Sequence, residues 1–431
     1  MFNTMNLKEQ VKIRLQKNLN QKYIRRLLNI ITSRPFLLIT GNTFSSTSDK
    51  YLNIFSLKNL KNAYSNHYPV AYGSIFLPYE LFYSLEIAPF LPEVMAGYSA
   101  VLGLADKTLK KSSSNWYSQD LCTFHRSASG AVELDIFPKP EFIICCSLAC
   151  DAAQKSFYIY AKNFGIEKNF YLVDVPYSYT TESESYLSQQ LKDISIDISK
   201  KLGKKLDLNK FKEVIKLSNE FRKWALKVNN LRKTLINYPI NYNGLNFILP
   251  FHGLAGTKEA VILYQKMYDE LSYYLKKQGQ ENSNNKNNQK RLLWLHLKPY
   301  YRNEIFQILE QGNCKVVFEE FNYIYWPELD PDRPFYSLAK KMISHYLRGE
   351  IENRMSAILN MAGDYKIDGA ILFSHWGCRQ SNGGARIIKD SLKQYNIPTL
   401  VLDGDCVDQN NSSEGQLKTR IQGFIEILNS N

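Results

Sequence analysis

Short apolar runs alternate with helix-forming stretches over the C-terminal third of the chain. Continuous apolar runs, typical of buried strands, occupy four segments: Arg291–Leu297, Cys314–Glu319, Gly369–Phe373 and Pro398–Leu402. Apolar residues at helical spacing occupy three more: Asn303–Gln311, Ala385–Gln394 and Glu414–Leu428. Continuous apolar strands that alternate with helices indicate a parallel sheet covered by helices on both faces. We therefore predict a doubly wound layer in this part of the chain.

The preceding part of the chain carries the same signals less regularly. Buried strands are predicted at Val70–Phe76, Glu141–Cys146 and Asn169–Val173, with helices near Tyr79–Leu85 and Ala152–Phe164. These elements predict a first doubly wound layer.

Two later segments differ in composition from both layers. From Glu182 to Thr234, and again from Thr257 to Lys277, Lys, Leu, Ser and Asn recur at helical spacing, and Gly203 is the one breaker in the first stretch. The tract 278–289 contains no apolar residue, so it cannot offset the entropy lost on ordering and is predicted to be a linker or exposed loop.

The predicted fold class is therefore α/β, with two doubly wound parallel-sheet domains of Rossmann or flavodoxin type. We expect a basic helical N-terminal extension over residues 1–65 and a first α/β domain over 66–181. A mainly helical segment over 182–290 ends in the Asn-rich linker, and a second α/β domain covers 291–431.

The charge of the chain is unevenly distributed. The 54 Lys and Arg residues exceed the 41 Asp and Glu residues by 13, a surplus that usually suggests nucleic acid as a partner. Residues 1–65 hold eleven basic and two acidic residues, a net charge of +9, which leaves +4 for the other 366 residues. We therefore expect no nucleic-acid partner. The basic extension is interpreted as a solvated helix, with a transit peptide or a lipid-surface helix as alternatives.

The chain carries no sequence signal for secretion or membrane insertion. No window approaches 18 consecutive apolar residues, so we expect no membrane span. The N-terminal region lacks the apolar core and the small-residue cleavage site of a signal peptide. We therefore expect a cytoplasmic protein.

Common catalytic motifs are absent from the sequence, and the cysteines are its main chemical signal. GxGxxG, GxxxxGK[ST], HExxH and GxSxG do not occur. Seven cysteines without a signal peptide suggest reduced thiols, metal ligands or buried fillers rather than disulfides. Cys122 and Cys150 fall in the first predicted domain and Cys378 in the second. Cys150 and Cys378 follow predicted strands, whereas Cys122 lies in DLCTFHR, which we interpret as a loop rich in small residues.

Three thiolates from separate segments can hold three irons of a cubane cluster. Zinc is an alternative, because Cys122 with His125 and His375 with Cys378 offer a mixed set of nitrogen and sulfur ligands. A third alternative is that the cysteines are buried hydrophobic side chains.

Several ordered segments resemble a known family. Near the C-terminus they are DGAILFSHWGCRQSNGGARIIKDSL and IPTLVLDGDCVDQNNSSEGQLKTRIQGFIEIL. Upstream they are LPYELFYSLEIAPFLPEVM, DLCTFHR, CCSLACD and DVPYSY. Over Pro69–Leu428 the chain is similar to the 2-hydroxyacyl-CoA dehydratase D-component family, which also includes benzoyl-CoA reductase subunits and double-cubane cluster proteins.

The resemblance implies a [4Fe-4S] cluster between two α/β domains, bound by Cys122, Cys150 and Cys378. It implies an ATP-hydrolysing iron–sulfur activator protein, an acyl-CoA substrate, and a homologous second subunit or a homodimer. The implied reaction is elimination of water from a 2-hydroxyacyl-CoA through a ketyl radical.

Two alternatives within the resemblance remain open. Cys145, Cys146 and Cys406 lie beside the recognised segments, and extra thiols of this kind are what the double-cubane [8Fe-9S] cluster of a small-molecule reductase needs. Because neighbours on a strand face opposite ways, we favour a filler role for at least one of Cys145 and Cys146. The second alternative is a non-catalytic electron-transfer subunit.

Polar residues beside the three cysteines are the remaining candidates. Arg126, Ser374 and His375 are predicted to donate hydrogen bonds to cluster sulfurs or to a thioester oxygen. Arg126 is the strongest candidate, because a guanidinium near a reduced cluster offsets its charge.

Overall fold

The computed structural model describes residues 20–33, 46–115, 117–235, 246, 248–281 and 289–430. Within these residues the strands form two parallel sheets of four strands each, flanked by helices. This architecture confirms the predicted α/β class with two Rossmann-like layers.

Two helices of the predicted N-terminal extension fall within the described residues: α1 (Gln21–Ile31) and α2 (Thr47–Tyr64). Ser46 caps α2 by accepting a hydrogen bond from the amide of Asp49 at 3.1 Å, a standard way to satisfy a free helix N–H group. The rest of the extension, residues 1–19 and 34–45, lies outside the described residues.

The first sheet is formed by four short strands: β1 (Val70–Gly73), β2 (Ala88–Phe90), β3 (Phe142–Cys146) and β4 (Phe170–Val173). Their order in the sheet is β2-β1-β3-β4. The predictions of β1, β3 and β4 are confirmed, whereas β2 was not predicted. Its three residues include Pro89, and a proline argues against a strand unless the strand lies at an edge of the sheet, which is where β2 lies.

Helices α3–α7 belong to the first half: α3 (Glu80–Ser84), α4 (Pro92–Val101), α5 (Ala105–Ser114), α6 (Thr123–Glu133) and α7 (Asp151–Phe164). The interpretation of DLCTFHR as a loop was wrong, because α6 begins at Thr123. The small residues of α6 serve close packing instead. A Cβ added to Gly130 would lie 1.8 Å from the carbonyl oxygen of Thr108 in α5.

The middle of the chain is helical, as predicted: α8 (Thr181–Lys201), α9 (Leu208–Thr234), α10 (Ile248–Gly253) and α11 (Lys258–Glu281). Gly203 has a φ of +67° and separates α8 from α9, because glycine adopts this conformation at little cost. Residues 278–281 of the predicted linker continue α11, and 282–288 lie outside the described residues. In the described part of the chain, no helix is both long and apolar enough to cross a membrane.

The second sheet matches the predicted strands closely: β5 (Lys290–Leu295), β6 (Cys314–Glu319), β7 (Gly369–His375) and β8 (Thr399–Gly404). Their order is β6-β5-β7-β8. The helices of this half are α12 (Ile305–Gln311), α13 (Pro334–Ile343), α14 (Ile351–Tyr365), α15 (Arg379–Asn382), α16 (Ala385–Gln394) and α17 (Glu414–Ser430). Short 3₁₀ turns lie at Glu167–Asn169, Glu320–Asn322 and Gln409–Asn411.

Apolar side chains cover both faces of the first sheet. One core joins one face of this sheet, including Tyr72, to the second sheet, including Trp294 and Phe373. The other core lies between the opposite face and the helical middle segment, where Ile144 of β3 packs with Leu187 of α8. The two sheets are therefore joined by one continuous apolar core.

Candidate active site

A cavity of about 1730 Å³ is lined by residues that follow strands of both sheets. Ile75 follows β1 and Cys150 follows β3, whereas His296 follows β5 and His375 is the last residue of β7. Ligand sites of open parallel sheets occur at the carboxyl ends of strands. The cavity is therefore the candidate active site.

The cavity brings together the three cysteines that the sequence singles out. Cys122, Cys150 and Cys378 all line it, and each directly precedes a helix: α6, α7 and α15. In the described part of the chain, no three His, Cys, Asp or Glu side chains converge closely enough to hold a single metal ion.

Direct contacts between the two halves fix the position of Cys122. Thr123 Oγ1 donates a hydrogen bond to the buried carboxylate of Asp405 at 2.6 Å. Gly377, which has a φ of +73°, packs so tightly that an added Cβ would lie 2.7 Å from the amide nitrogen of Cys122. Because of this contact and this φ, glycine is required there. The segment that carries Cys378 is thus pressed directly against the one that carries Cys122.

Each of the three thiols has an imidazole Nε2 near its Sγ: Cys122 pairs with His375 at 3.2 Å, Cys150 with His125 at 3.3 Å and Cys378 with His296 at 3.5 Å. Burial lowers the pKa of His375 and of His125 to about 4. Burial also lowers the pKa of His296 well below its ordinary value, with a further effect of the Arg354 charge. These rings are therefore neutral at pH 7.

Burial also keeps the thiols of Cys122 and Cys150 protonated. It raises the pKa of Cys122 well above its ordinary value, and the neighbouring Cys378 and Cys150 raise it further. Burial and the nearby Glu93 carboxylate raise the pKa of Cys150 in the same way. A thiol must lose its proton to bind a metal, so a metal ion bound by these two thiols would release their protons.

The four other cysteines do not line the cavity. Cys145 and Cys146 are buried on opposite faces of β3, one in each apolar core. Cys314 begins β6, where its Sγ lies 3.5 Å from the carbonyl oxygen of Gly312. Cys406 is fully buried, and its backbone N–H donates to His375 Nδ1 at 3.1 Å. Cys406 thus contacts the site through its backbone.

The predicted polar residues occupy different positions. His375 lines the cavity, whereas Arg126 and Ser374 are not among the lining residues. The Arg126 guanidinium donates to Ser113 Oγ at 2.9 Å and to the carbonyl oxygen of Gln119 at 3.3 Å. Ser374 Oγ donates to the side chain of Asn382 at 2.7 Å. Arg126 and Ser374 therefore support the segments around the cysteines.

A buried carboxyl group in the cavity was not predicted from the sequence. Glu93, in the first turn of α4, lines the cavity and is 8% exposed. Its Oε2 has no hydrogen-bond partner among the described residues. Burial raises its pKa to about 8, against a smaller opposing effect of the Ile75 and Glu93 backbone N–H groups. In the sequence Glu93 lies within LPYELFYSLEIAPFLPEVM, one of the segments that carry the family resemblance, but nothing in that segment distinguishes it from the other acidic residues there.

A buried ion pair supports His296 and Cys378 from behind. Arg354 Nε and Nη2 donate to the two carboxylate oxygens of Glu320 at 2.7 and 2.8 Å, and neither side chain is more than 2% exposed. Glu320 also accepts the backbone N–H of His296 at 2.8 Å. Arg354 Nη1 donates to the carbonyl oxygen of Gln380, two residues after Cys378. The pair thus connects two segments of the cavity wall.

Replacing Arg354 by methionine is expected to destabilise the fold by about 3–5 kcal/mol, because it leaves the Glu320 carboxylate buried without its cation. The measurement is the midpoint of urea-induced unfolding of the full chain. Arg386→Met is the matched control, since Arg386 pairs with Asp390 while 85% exposed, and exposed pairs contribute about 0–1 kcal/mol. Equal shifts for the two variants would contradict the prediction.

The chain matches one protein family over most of its length. Residues 74–428 match the profile of the family described as "2-hydroxyglutaryl-CoA dehydratase, D-component". The chain belongs to this family. The resemblance found in the sequence segments is thereby confirmed over nearly the whole range in which it was seen.

Individual relatives in the family are distant in sequence but similar in length. The chain is 26% identical to the (R)-phenyllactyl-CoA dehydratase alpha subunit of Clostridium sporogenes, over 81% of this chain and 87% of the relative. It is 22% identical to the (R)-2-hydroxyisocaproyl-CoA dehydratase alpha subunit of Clostridioides difficile, over 88% and 94%. One of the benzoyl-CoA reductase subunits of Thauera aromatica is 20% identical, over 81% and 86%. These three relatives are subunits of two dehydratases, which are lyases, and of a related reductase.

Proposed function

We propose that this chain is the iron–sulfur subunit of a 2-hydroxyacyl-CoA dehydratase, in which Cys122, Cys150 and Cys378 bind a [4Fe-4S] cluster. The observation that carries the proposal is the convergence of three cysteines, from both halves of the chain, on the wall of one large cavity. Thiolates are the ligands that iron–sulfur clusters require. Three of them leave one iron of a cubane free of cysteine, so the donor set fits the group that the family implies.

The chain itself provides a large cavity with a partly apolar wall. When bound, the cluster supplies low-potential electron transfer and a Lewis-acidic iron. Apolar and aromatic side chains line much of the remaining wall, among them Phe76, Phe124, Tyr300, Phe321 and Leu347. Exclusion of water protects reactive intermediates from side reactions and strengthens every polar interaction in the site. The cavity is also large enough to admit the acyl end of a CoA thioester, since small-molecule sites span roughly 300–1,000 Å³.

We assign the proton transfers of the reaction to Glu93. Elimination of water from a 2-hydroxyacyl-CoA removes hydroxide from C2 and a proton from C3, and the electron that starts the reaction is returned at its end. The neutral Glu93 carboxyl gives its proton to the departing hydroxide, which leaves as water. The resulting carboxylate then takes the proton from C3 and regains its neutral form. Its position on the cavity wall and its raised pKa of about 8 support this role.

The proposal includes two protein partners. An ATP-hydrolysing iron–sulfur activator protein delivers the first electron. A homologous second subunit, or a second copy of this chain, completes the enzyme. The names of the relatives support a second subunit, since each relative is named as one subunit of its enzyme.

Full-length protein purified without oxygen is expected to be brown and to contain about four irons and four sulfides per chain. The measurements are iron and acid-labile sulfide content, the absorption spectrum, and turnover of a panel of (R)-2-hydroxyacyl-CoA thioesters with activator, ATP, reductant and a homologous subunit. About eight irons with reduction of small molecules would favour the double-cubane reductase instead. A colourless, zinc-containing protein would overturn the proposal.

Turnover also separates the dehydratase from an electron-transfer subunit. We expect dehydration to require this chain together with its cavity residues. If the homologous subunit alone dehydrated the substrate and this chain only increased the rate of electron delivery, the catalytic role would be refuted and the non-catalytic alternative supported.

A further inference from the structure

The three cavity cysteines share a feature that the proposed chemistry does not use. Each Sγ has one imidazole Nε2 within 3.5 Å, and each imidazole comes from a different segment of the chain. His125 lies in α6, His296 directly follows β5 and His375 ends β7. Because each sulfur has its own ring and the rings come from three separate segments, the three pairs depend on the tertiary structure and not on one local turn.

We propose that His375, His125 and His296 are positioning residues that each donate one N–H···S hydrogen bond to a cluster thiolate, and that together they raise the reduction potential of the cluster. This inference rests on the proposed function, because it needs the cluster to be present. It concerns the potential of the cluster rather than the identity of its ligands.

The proton position on His375 follows from its hydrogen bonds. Its Nδ1 lies 3.1 Å from the backbone nitrogen of Cys406, which carries a proton and can only donate. Nδ1 must therefore be the unprotonated acceptor, and the single proton of the neutral ring lies on Nε2. Nε2 is the atom 3.2 Å from the Sγ of Cys122. His375 is thus held in the tautomer that donates to sulfur.

The other two rings favour the same tautomer for a different reason. Nδ1 of His125 and Nδ1 of His296 are buried and have no hydrogen-bond partner among the described residues. If the proton were on Nδ1, each ring would bury an unpaired donor, which is rarer and costlier than an unpaired acceptor. With the proton on Nε2, the donor faces Cys150 or Cys378. Both rings therefore direct an N–H group at sulfur.

His296 is also held in place by its backbone. It has a φ of +69°, a conformation that is uncommon outside glycine and carries a conformational cost. Its N–H donates to the Glu320 carboxylate at 2.8 Å, and that carboxylate is held in turn by Arg354. This support orients the ring toward Cys378. The geometry is that of an outer-shell donor fixed by the residues behind it.

Donors to cluster sulfurs change the relative stability of the two oxidation states. Reduction adds negative charge, part of which resides on the sulfurs, so an N–H group directed at sulfur stabilises the reduced state more than the oxidised state. Hydrogen bonds to the sulfurs are among the main determinants of cluster potential. Removal of one donor is therefore expected to shift the midpoint potential to a more negative value.

The test is a redox titration of full-length, cluster-containing protein, followed by absorption and electron paramagnetic resonance. His375→Phe keeps a ring of similar size but removes the donor, so its midpoint potential is expected to be more negative than that of the wild type. His375→Gln places an amide N–H near the former Nε2 and is expected to restore much of the shift. His125→Phe and His296→Phe are expected to shift the potential in the same direction.

His252→Phe is the matched control. His252 is a partly buried histidine that lines the same cavity, and none of its described contacts involves a cysteine. Its replacement is expected to leave the potential unchanged. An iron-containing His375→Phe protein with the wild-type potential would overturn the inference, as would an equal shift in the control.

A measurement on the wild-type protein tests the same inference if a variant fails to fold or to bind iron. Wild-type protein labelled with ¹⁵N-histidine is expected to show weak nitrogen hyperfine coupling to the reduced cluster. Absence of this coupling in a reduced, iron-containing protein would overturn the inference while leaving the proposed function intact. A wild-type protein without iron would refute the proposed function itself.

Discussion

Replacement of Cys122 by serine is expected to remove most of the iron from the protein and to abolish dehydration. Cys122 is held between the two halves by the contact with Gly377 and by the bond from Thr123 to Asp405. A serine hydroxyl is a harder ligand than a thiolate and suits iron–sulfur ligation less well. The measurements are iron and sulfide per chain after anaerobic purification, with turnover of a 2-hydroxyacyl-CoA by the complete enzyme.

Cys314→Ser is the control for this experiment. Cys314 is buried, as Cys122 is, but it lies at the start of β6 and does not line the cavity. A serine there can still donate to the carbonyl oxygen of Gly312, so iron content and turnover are expected to stay at the wild-type level. If C122S kept its full iron content, the assignment of Cys122 as a ligand would be wrong.

Replacement of Glu93 by glutamine is expected to lower turnover by roughly 10²–10⁴-fold while iron content stays unchanged. The amide keeps the shape and the neutral charge of the protonated carboxyl group, but it cannot give up and regain a proton. The measurements are kcat, KM and iron content of the complete enzyme. Glu86→Gln, at an exposed residue paired with Lys204, is expected to behave like the wild type. Wild-type turnover in E93Q would refute the assigned role.

The raised pKa of Glu93 also predicts how the stability of the wild type and of E93Q depends on pH. The folded protein keeps the Glu93 proton up to about pH 8, whereas an unfolded chain releases it near pH ~4.3. Between these values the folded state binds more protons, so the contribution of Glu93 to stability falls as pH rises. The urea midpoint is therefore expected to fall further between pH 5 and pH 8 in the wild type than in E93Q. Identical pH dependence would mean that Glu93 is ionised at neutral pH.

The sequence predicts the second half of the fold more fully than the first. The strands of the second sheet are continuous apolar runs, so composition alone locates them. In the first half, β2 was not predicted because it contains Pro89. The small residues of α6 were interpreted as a loop, although they allow Gly130 to pack against α5. Close approach of two helices depends on which helices become neighbours, and this cannot be deduced from a local stretch of sequence.

The same distinction applies to the candidate site. Cys378 could be located because it follows a recognisable strand. The pairing of Cys122 with His375 spans 253 positions, so no local pattern reveals it. The raised pKa of Glu93 likewise results from burial, and an acidic residue at a helix start is ordinarily explained by its favourable interaction with the helix dipole.

The segments of Cys122 and Cys378 meet at Gly377 but belong to different halves of the chain, and this determines how oxygen or chelators would affect stability. Cys122 and Cys150 belong to one half of the chain and Cys378 to the other, so a ligand bound by all three thiols acts as a cross-link. Such a ligand binds the folded state only, and its loss removes binding energy from the whole protein at once. Oxidative loss of the ligand would then weaken the packing between the two halves of the chain. Loss of iron and susceptibility to proteases should therefore rise together.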